Sequence, residues 1–154
     1  MTTADPHRLL VAVDGSPEAA GAIDVAARLA RGLGGTLTLV AVAPLAPTPT
    51  PIAGGPLTGI APDPPEQQEL LDRLAHERLE QLVARTGEDL DVRGVLSWGP
   101  LGPAVVEQAE TGEHDLVVVP WPGRGALGHL LHDHAARHVL DHCRLPVLVV
   151  PADG

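Results

Sequence analysis

With 154 residues, an apolar fraction of 44% and a formal net charge of −10, the chain fits one domain with a sizeable core. The acidity argues against nucleic acid, which needs a dense basic patch, and against an anionic membrane surface. Cys143 is the only cysteine, so an intrachain disulfide is excluded.

Basic charge comes from arginine alone, Phe and Tyr are absent, and Trp98 and Trp121 are the only aromatic residues. No apolar run approaches the roughly 20 residues needed to span a bilayer, and Met1 to Arg8 lack the apolar segment of a signal peptide. The expectation is a soluble cytoplasmic protein forming a single domain over residues 1–154.

Leu9 to Val13 is a continuous apolar run, as in a strand buried on both faces. Asp14-Gly-Ser-Pro-Glu18 stops it. Ser16 is placed to cap a helix with its side chain, and Pro17 suits the first helical position. Ala19, Ala22, Ile23, Ala26, Leu29, Ala30 and Leu33 carry the helical period, and Gly34-Gly35 ends it. Thr36 to Val42 reads as a second strand.

Pro44 to Pro65 breaks the rhythm with a proline-rich stretch, read as a long mobile loop within the domain or a lid over a ligand site. Glu66 to Arg85 predicts a helix with a stripe of Leu70, Leu71, Leu74, Leu79, Leu82 and Val83, and an i,i+4 pair of Glu69 with Arg73. Val92 to Ser97 is a third strand, and Leu101 to Glu110 a short helix ended by Gly112. Leu116 to Val119 is a fourth strand, closed by Pro120. A Pro/Gly-rich turn to Gly128, a helical segment to about Cys143 and a last strand at Pro146 to Pro151 complete the chain.

Strands alternating with helices imply a parallel sheet covered on both faces, joined by right-handed crossovers. A doubly wound sheet binds ligands beyond the carboxyl ends of its strands, where the winding reverses. Asp14, after the first strand, and the loop after the fourth are placed to flank that crevice. A strand, a glycine loop and a helix also present backbone N–H groups to an anion.

Taken in order, three blocks resemble the universal stress protein (UspA-type) family. They are Val13-Asp14-Gly15-Ser16, Asp115-Leu-Val-Val-Val119 running into Gly123-Arg-Gly125, and Val139-Leu-x-His142 with Pro146-Val-Leu-Val-Val150. The resemblance implies a Rossmann-like, doubly wound five-stranded sheet in the order 3-2-1-4-5. It also implies a homodimer formed through the last strand, at Val147, Leu148, Val149 and Val150. Many members bind ATP. On that pattern Asp14 matches the aspartate at the adenosine, the backbone of Ala41 meets the base, and Gly123, Arg124 and Gly125 keep the phosphate loop.

Three positions depart from the pattern. Pro120 replaces the first motif glycine and has no N–H to offer. Asp133 replaces the last glycine and His134 the Ser or Thr after it. A carboxylate at Asp133 would repel a triphosphate by on the order of a few kcal/mol, unless Mg²⁺ bridges the two. Trp121 is read as either stacking on a bound base or filling an empty base pocket with its own ring.

Two further readings rest on the residues themselves. His134, His138 and His142 fall on one helical face at i, i+4, i+8, a spacing that can chelate a transition metal. No Ser or Cys sits on a recognisable nucleophile turn, so no catalytic residue is assigned. The leading reading is a stress-response or regulatory protein with a degenerate nucleotide site, acting through contacts with an unidentified protein partner. The alternatives are an ATP-binding switch and a metal-binding protein.

Overall fold

A computed structural model describes residues 7–46, 64–121 and 135–151. The elements follow in strict alternation: β1 Arg8–Val13, α1 Pro17–Leu33, β2 Thr36–Ala43, α2 Pro64–Thr86, β3 Val92–Trp98, α3 Leu101–Thr111, β4 Leu116–Trp121, α4 Ala135–His142 and β5 Val147–Pro151. The strands form one parallel sheet in the order β3-β2-β1-β4-β5, as the resemblance implied. Most of the loop read at Pro44 to Pro65 lies outside the described residues.

β1 is the middle of everything. Leu9 to Val13 are buried, and successive side chains enter different cores because a strand alternates its faces. Leu9, Val11 and Val13 join Ala22, Ile23, Ala26 and Ala30 of α1 and Leu79 of α2. Leu10 and Ala12 join Val105 and Ala109 of α3, Val139 of α4, and Val117 and Val119 of β4. The alanine face of α1 lets that helix lie close to the sheet without large side chains.

α2 differs. Of its leucine stripe Leu79 alone is buried, at 4% exposure, while Leu70 and Leu74 stand 46% and 52% exposed. The reason is position: α2 covers the β2–β3 side of the sheet, and its N-terminal half spans open space rather than packed side chains. The expected Glu69–Arg73 pair is not among the ion pairs of the described residues; α2 forms His76–Glu80 instead, at 3.0 Å.

Pro120 was expected to close the fourth strand, but β4 runs through it to Trp121, pairing Pro120 with Val150 and Trp121 with Pro151. β1 pairs with β4 only as far as Val118, so at Pro120 the strand has a single neighbour. A residue without an N–H is tolerated at such a ladder end.

Opposite the crevice end of the sheet, His114 is buried at 5% exposure. Its Nε2 lies 2.9 Å from the Thr38 hydroxyl and its Nδ1 3.1 Å from the Gln108 carbonyl oxygen. The carbonyl can only accept, so Nδ1–H donates to it, and in the neutral ring that burial favours Nε2 accepts from the Thr38 hydroxyl. A side chain at Gly112 would meet the His114 ring at 2.6 Å, so that glycine makes room for it. Burial lowers the His114 pKa, opposed by the Gln108 hydrogen bond and reinforced by the Arg8 and Arg93 charges.

Above the unfolded value of about 6.5, His114 is neutral in both states. Below it the unfolded chain takes up a proton that the folded chain refuses, so stability falls as pH drops from about 6.5 towards the depressed folded pKa. Urea midpoints compared at pH 7.5 and 5.5 are expected to fall less in His114→Gln than in the parent chain. Equal falls would mean that His114 does not carry this dependence.

Candidate functional site

At the carboxyl ends of β1 and β2 a cavity of about 430 Å³ opens beneath α2. Its floor is Val13, Asp14 and Gly15 after β1 and Ala41 and Val42 of β2; its roof is Leu71, Leu74, Ala75, Arg78 and Leu79 of α2. The volume and the largely apolar lining with few polar groups are those of a small-molecule site. It lies where the winding reverses, since β1 has β2 on one side and β4 on the other.

Asp14 and Ala41 thus come together at one cavity, from elements far apart in sequence. Gly15 makes the turn between β1 and α1, with φ +77°, a conformation suited to glycine. The Asp14 carboxylate is committed locally. Its Oδ1 accepts from the Ser16 backbone N–H at 2.9 Å and from the Ser16 hydroxyl. Ser16 does occupy the N-cap of α1, but it makes no side-chain cap hydrogen bond; its hydroxyl is turned towards Asp14, to which it donates. Asp14 Oδ1 faces the turn; its second oxygen has no hydrogen bond among the described residues.

A hydrogen-bonded rim secures the cavity beside β2. Gln68 on α2 accepts from the Ala46 N–H at 2.9 Å and donates to the Pro44 carbonyl at 3.2 Å. It also donates to Asp72 at 2.8 Å, and Asp72 accepts from Trp98 Nε1 at 3.0 Å. Trp98, expected to pack against a helix from an edge strand, reaches α2 through this bond while its ring stays 55% exposed.

Trp121 is placed elsewhere. Val117 and Val119 belong to the core under α3 and α4, and the two-residue period of β4 puts Trp121 on that same side. The cavity is on the α2 side, and Trp121 is not among its lining residues. Gly123, Arg124, Gly125, Asp133 and His134 lie outside the described residues.

Of the three histidines proposed as metal ligands, His134 is outside the described residues, and α4 brings the other two together. The rings of His138 and His142 stack at 4.2 Å with an interplanar angle of 16°, and His142 Nδ1 donates to the His138 carbonyl oxygen at 3.0 Å. One nitrogen of His142 is thereby used. Among the described residues no group of three or more His, Cys, Asp or Glu is arranged to hold a metal ion. Val147 to Val150 form β5, which pairs with β4 and stands half-buried at the end of the sheet.

Arg78 was missed in the sequence. Its signal was present: Leu71, Ala75, Arg78 and Leu82 share one face of α2, so a cation interrupts an otherwise apolar stripe. Among the described residues, Arg78 and Asp14 are the only charged ones lining the cavity.

Among the described residues, no helix is long and apolar enough to cross a membrane. No curated protein matches the chain. Solved structures do. The universal stress protein UspA from Lactobacillus plantarum aligns with a TM-score of 0.73 at 21% identity, over 96% of this chain and 99% of that one. A universal stress protein in complex with cAMP aligns at 0.60 and 21%, over 96% and 98%. The Archaeoglobus fulgidus universal stress protein in complex with dAMP aligns at 0.60 and 18%, over 93% and 96%. These likenesses carry the fold; the family rests on the sequence model of the universal stress protein family, which matches residues 6–151. Nearly the whole chain is covered, and it belongs to the universal stress protein family.

Proposed function

We propose that this chain is a stress-response or regulatory binding protein whose cavity seats the adenosine part of an adenine nucleotide. One observation carries the reading: Asp14 and Ala41, matched to the family's adenosine site, line the same cavity of about 430 Å³ under α2. The Asp14 carboxylate retains an oxygen to accept from a ribose hydroxyl, Ala41 offers backbone to the base, and Leu71 and Leu74 supply apolar surface for its faces. The complexes of two structural neighbours with cAMP and dAMP support it. No residue is given a catalytic role. The phosphate end departs from the family pattern at Pro120, Asp133 and His134.

Calorimetric titration of the nucleotide-stripped protein with adenosine, AMP and ATP, the last with and without Mg²⁺, is expected to show saturable micromolar binding of at least one of them. Asp14→Ala should weaken that binding about tenfold or more, the loss of a hydrogen bond to a charged acceptor. No binding of any of the three up to millimolar concentration sinks the nucleotide reading. What remains then is the second reading, favoured by Pro120 within β4: a closed or idle pocket in a protein that works through protein contacts.

β5 supports a homodimer. It lies at the end of the sheet with β4 on one side, and its Val147 to Val150 are only half-buried in the single chain. An apolar edge strand of this kind invites pairing with a second copy. Light scattering at micromolar concentration is expected to give a dimeric mass; a monomeric mass counts against it.

A further inference from the structure

Arg78 is a solvent-exposed cation set within the leucine stripe of α2. It occupies the apolar face of α2, between Leu74 and Leu82 at four-residue spacing on each side. Among the described arginines only Arg31, with Asp89 at 2.9 Å, and Arg8, with Glu113 at 3.6 Å, form ion pairs, so what sets Arg78 apart is its place at the cavity. Arg78 has no ion pair or hydrogen bond among the described residues. It lines the cavity under α2 and also a neighbouring cavity of about 310 Å³, between α2 and the start of α1. The two share Val13, Gly15, Arg78 and Leu82, so Arg78 stands at their junction.

The other charge of the first cavity, Asp14, accepts from Ser16 and repels anions. Among the described residues lining the cavity, an anionic ligand meets one cation, Arg78, whose planar guanidinium presents paired donors that match phosphate oxygens. We propose that Arg78 binds the phosphate of the ligand, and that the site is selective for adenine nucleotides bearing one compact phosphate, open or cyclic, over the uncharged nucleoside. The proposal rests on the nucleotide reading above and adds to it the group that recognises the phosphate. A longer polyphosphate gains no further cation among the residues lining the two cavities.

Affinities for adenosine and AMP, measured by calorimetry on the full chain and on Arg78→Gln, separate the two levels of the claim. Arg78 is exposed on the helix, and Arg and Gln have near-equal helix propensity, so the variant removes charge and leaves the fold. The parent chain is expected to bind AMP about ten- to a hundredfold tighter than adenosine, the usual range for a charge-assisted contact. Arg78→Gln should shrink that difference by weakening AMP far more than adenosine, and Arg78→Lys should restore part of it. Equal AMP affinity in the parent and Arg78→Gln overturns the role of Arg78 and leaves the adenosine site standing. Failure of both ligands to bind the parent chain overturns both.

Discussion

The winding of the sheet reverses at β1, and the rest of the molecule is arranged around that reversal. From β1 the chain moves to β2 and β3 on one side, then crosses to β4 and β5 on the other. The connections leaving β1 and β4 therefore diverge, and a crevice opens between them at the carboxyl ends of the strands. Asp14 is the first residue beyond β1 and stands at this opening. β1 can hold that place because it is buried on both faces, which only an uninterrupted apolar run permits.

The choice of core side chains decides where space is left. α1 buries Ala19, Ala22, Ala26, Ala27 and Ala30, which bring its backbone close to the sheet. α2 meets the same layer with leucines, of which Leu79 alone is buried. A long aliphatic side chain holds the helix off; an aromatic ring could have filled the gap, but the chain has no Phe or Tyr. The cavity is thus a direct result of packing a leucine helix beside an alanine helix on one sheet face. The Gln68–Asp72–Trp98 hydrogen bonds hold its rim from the β3 side.

Much of this was legible in the sequence. The order of elements followed from β-branched runs and helical spacing, and Asp14 stood at a strand end where a ligand crevice was due. Strand order was not legible in periodicity and came from the family resemblance. Ser16 was read as a side-chain cap; an Asp two residues earlier turns its hydroxyl towards itself, an orientation that propensity does not predict. His114 gave no signal, because its burial depends on Thr38, a partner 76 residues away. Arg78 was overlooked because the helix was read for its leucines, although a charge inside the stripe was there to see.

Electrostatics then discriminates among ligands. A chain with a net charge of −10 repels anions, but screening confines that repulsion to about 8 Å at physiological salt. Inside the cavity the local charges govern instead, and among the described residues these are Arg78 against Asp14. A phosphate placed nearer the guanidinium than the carboxylate gains; each added phosphate extends towards the acidic remainder of the surface. Asp133 and His134 stand in the sequence where the family resemblance expects Gly and Ser or Thr, so the chain has an acidic residue at a position the pattern leaves uncharged. If the proposed nucleotide site holds, this balance favours a ligand whose negative charge is small and within reach of a single arginine.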